Sequence, residues 1–510
     1  MLLVRMHEFN EALQVIGRLN SGFIRPSRWF HASCSGTGEI EHIVKVINEH
    51  CFPDQPLQPT LERYINPASL SPSFVNNVLG RLFAAHANGL KACEFFKFCL
   101  FHPDKSSTPD AFEKTIHILT RMRYFDKAWE LMAEIKETHP SLLTLKSMNI
   151  MLSRIAKSQS YEDTLEAFEK LERDIFVGKK FGTEEFNALL HAFCTQRQMK
   201  EAKSVFNKLH SRFAPNTKTM NILLLGFKEA GNVTSVELFY HEMIRRGFKP
   251  NYVTYNIRID AYCKKGRLGD ALRLLKEMES VNHCLPTLQT MTTLIYGAGI
   301  ARNISKAREL FHEIPKRNLT IDVCAYNALL SSLLRSRDIK AAVELMEEMD
   351  EKKICHDHLT YHTMFWGLIR LKDVHGVYGL YNKMTEQGFL PKTRSVVMLI
   401  KFFCENQNID LGLSFWNYLL VKGQCPHSHA LDLLVTALCS HGRVEEALEC
   451  SKQMMDRGRH ISGLVFQMLK RILLESGEEA KLHQLEEMMK KLEILLPPSN
   501  VQYKTHVPCC

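Results

Sequence analysis

The residues from Thr217 to Thr287 hold one unit followed by the same unit again. TKTMNILLLGFKEAGNVTSVELFYHEMIRRGFKPN, from Thr217, aligns with YVTYNIRIDAYCKKGRLGDALRLLKEMESVNHCLPT, from Tyr252. Asn221 then falls on Asn256, Gly231 on Gly266 and Met243 on Met278. A period of about 35 residues marks small supersecondary units that bury their apolar faces only against neighbours. This replaces the domain count that 510 residues would otherwise suggest with one elongated body.

The register extends both ways. Units begin near Ser73, Pro109, Leu145, Thr183, Thr217, Tyr252, Leu288, Val323, His358, Thr393 and Ser428, which makes about eleven. Each reads as two helices. In the Tyr252 unit, Tyr255, Ile259 and Tyr262 recur at helical spacing, Lys264 to Gly266 breaks the pattern, and Ala271, Leu274, Leu275 and Met278 resume it. Gly266 suits a helix end. Ala202, Ala271, Ala307, Ala342 and Ala447 share one point of the second helix, where a small side chain permits close approach. Pro250, Pro286, Pro391 and Pro426 are expected to stop the second helices. The pattern degrades after Ser462, yet Leu482, Leu485, Met488, Met489 and Leu492 keep helical spacing, so 463–510 is expected to form a helical cap and tail.

The chain is 45% hydrophobic and 24% charged, an ordinary folded composition, and no apolar run is long enough to suggest a membrane span. A formal charge of +9 permits a nucleic-acid partner without requiring one. Fifteen Cys without a CxxC pair read as free thiols, not as a disulfide framework or zinc site. Arg5, Arg18, Arg25 and Arg28 punctuate an apolar and Ser-containing start, although Glu8 and Glu11 depart from an acid-poor pattern. Arg28, Phe30 and Ser33 in RWFHAS resemble a two-step processing site with final cleavage near Thr37. Residues 1–40 are therefore expected to be a mitochondrial presequence, with plastid or cytosol as alternatives, and 41–72 an N-terminal linker or cap.

VTYN at Val253 to Asn256, AYN at Ala325 to Asn327, GFKPN at Gly247 to Asn251 and CHD at Cys355 to Asp357 resemble pentatricopeptide repeats of the pure 35-residue type. The resemblance covers about Ser73 to Ser462; the Trp, Gly and Tyr pattern of the 34-residue tetratricopeptide repeat is missing. It implies an all-α, right-handed solenoid whose first helices line a groove for single-stranded RNA, one base per repeat. In that family the fifth and last residues of a unit face the base edge. Carried over, the pairs are Asn187 with Asn216, Asn221 with Asn251, Asn256 with Thr287, Thr292 with Asp322, and Asn327 with Asp357. The family's pattern assigns pyrimidines to paired Asn and to Asn with Thr, G to Thr with Asp, and U to Asn with Asp. With N-terminal units toward the 5′ end, the central five read pyrimidine, pyrimidine, pyrimidine, G, U.

The resemblance also implies that Val253, second in its unit, wedges between bases, a place that Glu184, Lys218 and Gln289 fill differently. Lys157, Lys264, Arg335 and Arg370 stand where the family contacts phosphate; their other reading is cations at helix ends. Glu113 with Thr144, His362 with Lys392, Val397 with His427 and Asp432 with Ser462 receive no assignment. One Asn near a helix start reads equally well as a cap, but Asn149, Asn187, Asn221, Asn256 and Asn327 share one register, with Asn77 close to it.

No catalytic constellation is evident. GxxxxGK[ST] and HExxH are missing, and only about fifty residues follow Ser462, too few for a deaminase-like or nuclease extension. The reading is a binder without enzymatic activity, cofactor, metal, membrane partner or small-molecule substrate, acting on organellar RNA by occupying its target. The alternative is a protein-binding scaffold, ribosome-associated or recruiting an RNA-processing enzyme in trans.

Overall fold

In the computed structural model, the described residues are 37–495 apart from 51–54, 67–69, 86, 102–107, 281–283 and 458. The expected presequence lies almost wholly outside them. The chain is an α-solenoid: helix pairs follow one another along its length, and no strand occurs among the described residues. First helices begin at Pro109, Leu145, Thr183, Thr217, Tyr252, Leu288, Val323, His358, Thr393 and Ser428, on the unit starts read from the sequence, and the earliest begins at Pro72, one residue before Ser73.

Helix starts are set by the residue that closes the preceding unit. Asn216, Asn251, Thr287, Asp322 and Asp357 each have extended φ/ψ and accept the third backbone N–H of the helix that follows. Helix ends are set by a left-handed residue. Gly266, at φ +71°, closes Tyr252–Lys264 as expected. The equivalent turns of other units use Arg123, Arg197, Arg302, Arg337 and Lys372 in the same conformation, with φ between 57° and 65°. The prolines play a different part from the one expected. The second helices already end at Arg245, Glu279, Glu386 and Val421, while Pro250, Pro286, Pro391 and Pro426 lie further on, each directly before the next cap residue. Their fixed φ shapes the entry to a helix and does not terminate one.

First helices pack closely on their successors along the whole array, whereas successive second helices between Met199 and Val421 are spaced more widely and meet through long side chains, as Arg317 with Glu279 at 2.7 Å and Lys383 with Asp350 at 2.8 Å. The array therefore curves toward its first helices, which line the inner face. Ala202, Ala271, Ala307, Ala342 and Ala447 are fully buried between the two layers. Gly297 and Gly299 let the Leu288–Ile300 helix lie against both neighbours: a Cβ added at Gly297 would overlap Cys263 Sγ, and one at Gly299 would overlap Ser332 Oγ.

The segment expected as a terminal cap is a further helix pair, Gly463–Glu475 and Glu479–Leu495, with Ser462 as its N-cap. At the other end, Thr37–Glu49 packs on Pro72–Ala84 through Ile43, Val44 and Ile47, so this helix spans the expected 40/41 boundary. The apolar core is interrupted once. One body runs from Ile43 to Leu223, another from Tyr255 to Leu492, and a small cluster around Leu224, Val236 and Ile257 lies between. A polar knot bridges this gap: buried Arg258 bonds Glu237 at 2.6 Å and Glu277 at 3.3 Å and stacks 3.6 Å above Tyr240.

Gly297→Ala should destabilise the chain by about 1–3 kcal/mol despite the gain in helix propensity, because the neighbouring helix must shift. Gly269→Ala, where an added Cβ meets nothing within 4 Å, should be neutral or stabilising. Urea midpoints measure both, and equal effects would exclude close helix approach as the constraint.

Candidate nucleic-acid interface

The inner face carries a recurring polar lattice. Thr254, third in its unit and fully buried, accepts the Asn251 N–H at 3.1 Å and donates to Asn221 Oδ1 at 2.8 Å. Asn221 Nδ2 in turn donates to Asn251 Oδ1 at 3.2 Å. The fifth residue, the last residue and the next unit's third residue thus form one ring. Thr219 joins Asn187 at 2.7 Å and the Asn216 N–H at 3.0 Å; Thr290 joins Asn256 at 2.7 Å and the Thr287 N–H at 3.0 Å. In the Val323 unit Asn327 Nδ2 donates to Asp357 Oδ1 at 3.0 Å. Burial opposes ionisation of Asp357, but bonds from Thr360, Asn327 and Leu359 outweigh it and hold the carboxyl below its ordinary range.

Thr292 and Asp322 are the exception. Thr292 donates to Gln289 O of its own helix at 3.0 Å, Asp322 caps Ala325, and the third position, being Ala325, has no hydroxyl to join them. Two flanking pairs left without assignment meet in the common way: Thr144 donates to Glu113 at 2.6 Å and Ser462 to Asp432 at 2.7 Å. His362 instead meets Ser395, the next unit's third residue, at 3.0 Å.

The fifth-position amides are not caps; the last residues are. Asn187, Asn221, Asn256 and Asn327 are buried, and one polar atom each of Asn149, Asn187, Asn256 and Asn327 has no partner. A buried polar atom without a bond is costly, and its recurrence at one register requires an explanation. Asn216 is exposed, and Asn251, Thr287, Asp322 and Asp357 are half-buried, at the mouths of the same sites.

The proposed phosphate contacts differ in their surroundings. Lys264 lies 3.2 Å from Asp260 and 3.7 Å from Glu229, a carboxylate pair that it shares with Lys228. Arg335 and Arg370 stack on aromatic rings instead: Arg335 lies 5.3 Å from Tyr296 and 5.4 Å from Trp366, and Arg370 lies 5.0 Å from Trp366. Lys157 lines a cavity of about 310 Å³ with His117, Lys146, Asn149, Arg154 and Gln196. Val253 is half-buried at the second position, where Cys324 and Leu359 of later units are more exposed. The third-position hydroxyls and the Tyr296 and Trp366 rings escaped the sequence reading. The Thr at 219, 254 and 290 recur at the third position of three successive units, which was a legible signal; Tyr296 and Trp366 have no repeat to reveal them.

With this geometry in view, comparison with known proteins is informative. The chain is 56% identical over 466 residues to the Arabidopsis thaliana pentatricopeptide repeat-containing protein At3g61360, covering 91% of this chain and 93% of that one. The chain belongs to the pentatricopeptide repeat family. Models of the PPR repeat match residues 186–212, 246–279, 289–319, 359–389 and 432–459, and that of the PPR repeat family matches 215–261 and 321–370. A second Arabidopsis thaliana pentatricopeptide repeat protein, At2g13420, named as mitochondrial, is 30% identical over 205 residues, 40% of this chain and 38% of that one. Among solved structures, the pentatricopeptide repeat protein PPR10 from maize is 16% identical over 95% of this chain and 72% of its own, with a TM-score of 0.43. PPR10 has also been solved in complex with an 18-nt psaJ RNA element.

His117 gives this pentatricopeptide repeat array a pH response. Burial, then the charges of Arg154 and Arg121, push its imidazole down to about 4. The unfolded chain takes up the proton first, so the contribution is intact above about pH 6.5 and is lost as pH falls toward 4. After allowance for solvent, about 1–2 kcal/mol should disappear across that window. Urea titrations at pH 7 and pH 5 should show a smaller difference for His117→Gln than for the parent chain; the same difference would remove His117 from the response.

Proposed function

We propose that this chain binds single-stranded RNA sequence-selectively along its inner face and acts in organellar, specifically mitochondrial, RNA metabolism by occupying its target. The observation that carries the reading is the unsatisfied amide atom at the fifth position of several units in one register. A base edge supplies the missing donor or acceptor, and the last residue of the unit stands at the mouth of the same site. Membership of the pentatricopeptide repeat family and the RNA-bound state of PPR10 support the ligand class. The name of At2g13420 supports the compartment.

The mechanism is exchange. The strand gives up self-pairing for stacking, about 1–3 kcal/mol per base in single-strand binders, and for edge hydrogen bonds. Asn187 with Asn216, Asn221 with Asn251 and Asn256 with Thr287 take pyrimidines, Thr292 with Asp322 takes G, and Asn327 with Asp357 takes U. Val253 separates neighbouring bases. Among the cations, Lys157, Arg335 and Arg370 contact phosphate more effectively than Lys264, whose charge Asp260 and Glu229 already offset. Covering a short segment in this way blocks an exonuclease, prevents a hairpin or presents a splice site without any catalytic step.

Selection from random single-stranded RNA by the full chain should enrich a pyrimidine tract followed by GU. Thr292→Asn should move preference at the fourth base from G toward U, with the other four unchanged. Binding without any enriched sequence, lost as salt rises, would turn the search toward a protein partner.

A further inference from the structure

The two ends of the array meet. Asn48 Nδ2 donates to Gly423 O at 3.2 Å, and the Cys425 N–H donates to Ala85 O at 3.0 Å. A cavity of about 250 Å³ is lined by Glu41, Lys45 and Arg81 from one side and Val421 and Lys422 from the other. One superhelical turn therefore closes between the Ser73 unit and the loop that precedes the Ser428 unit.

Three arginines gather beside this seam. Arg121 ends the Pro109–Arg121 helix, donates through Nη1 to Phe83 O at 2.9 Å and lies over the Phe83 ring at 4.6 Å; its Nη2 is buried without a partner. Arg154, one unit later, donates through Nη2 to His117 Nε2 and lines the 310 Å³ cavity. Arg459 comes from the far end of the chain: its N–H donates to Met454 O at 3.1 Å, beside the Cys425 thiol, which lies 3.6 Å from the Met454 sulfur, and its charge acts on Arg121. Burial, then Arg459 and Arg154, push the Arg121 guanidinium down to about 10, and among the described residues none of the three arginines has an ion pair. Arg258, Arg317 and Arg443 are matched instead: Arg258 has Glu237, Arg317 has Glu279 and Glu313, Arg443 has Asp410 and Glu446. A guanidinium does not lose its proton at physiological pH, so mutual repulsion within the cluster is relieved only by an anion.

We propose that Arg121, Arg154 and Arg459 form a phosphate clamp across the seam, which takes a phosphodiester of the bound RNA beyond its base-reading stretch and so ties strand binding to closure of the turn. The proposal rests on the RNA-binding reading above. Planar guanidinium forks match phosphate oxygens in pairs. The cavity of Arg154 also contains Asn149 and Lys157 of the unit that precedes Asn187, so a strand lying over Asn187 to Asp357 continues into it. Arg459 sets this clamp apart from phosphate contacts along the groove, because it is supplied by the opposite end of the chain.

The test uses the full chain with the selected five-base tract, alone or extended by five adenosines at either end. The extension lying over the Pro109 and Leu145 units should raise affinity at least fivefold. Arg154→Gln and Arg459→Gln should each abolish that gain and lower the salt slope by about one, while leaving affinity for the bare tract within twofold. Arg273→Gln, an exposed arginine paired with Asp270, should change nothing. Retention of the gain in Arg459→Gln would remove the seam from the site and overturn the clamp. If millimolar inorganic phosphate raises the Tm of the parent but not of Arg154→Gln, and neither extension helps, a free anion and not the strand occupies the cluster. No affinity for the bare tract in any chain would instead defeat the RNA-binding reading itself, and the clamp with it.

Discussion

A buried threonine hydroxyl shared between consecutive units is the interaction on which the inner face depends. Thr254 accepts from the Asn251 backbone and donates to the Asn221 amide, so one hydroxyl fixes a helix start and orients the fifth-position side chain of the unit before. Removing such a group leaves buried amide atoms unpaired, which costs more than the bond itself contributes. Thr219 and Thr290 make the same hydroxyl-to-amide bond, to Asn187 and Asn256, whose Nδ2 atoms stay without a partner, so the spacing between successive fifth-position amides is a property of the backbone repeat. A groove that presents one polar site per unit is therefore preorganised, and a ligand does not have to order it.

Charge is distributed unevenly along that groove. In the middle, Lys228 and Lys264 are offset by Asp260 and Glu229. Toward the C-terminal end Arg335 and Arg370 are stacked on aromatic rings, and toward the N-terminal end Arg121 and Arg154 stand near each other without an ion pair among the described residues. On the proposed RNA-binding reading, the centre would read base edges and the ends would hold the backbone. The break in the apolar core near Leu224 and Ile257 falls at the centre, where the Arg258 knot replaces hydrophobic continuity. Bonds of this kind are geometrically specific, so the junction between the two core bodies is set by ion-pair geometry in place of apolar packing.

Much of this was legible because the repeat is regular. A period fixed near 35 residues places every first helix; that the polar residues at unit ends cap those helices is visible only in the structure. The pairing of Asn221 with Asn251 and of Asn327 with Asp357 came from the resemblance to pentatricopeptide repeats, carried over by register. What escaped was of three kinds. Turns closed by Arg302 or Arg337 look like helix from sequence, since the left-handed conformation is imposed by the neighbouring helices and not by a residue that prefers it. Prolines near unit ends were assigned to the wrong helix, because a stop and an entry look alike when only a few residues separate them. The meeting of Ala85 with Cys425 depends on superhelical pitch accumulated over ten units, and no local pattern encodes it.

The most direct measurement is base discrimination by Thr254→Val, compared with the parent chain on the matched RNA and on RNAs mismatched singly at each of the five bases. If the shared hydroxyl orients the Asn221 site, discrimination should collapse at the second base, with affinity differences at the remaining four retained within about twofold. A uniform loss at all five bases, or none at any, would contradict a hydroxyl lattice that sets each reading position separately.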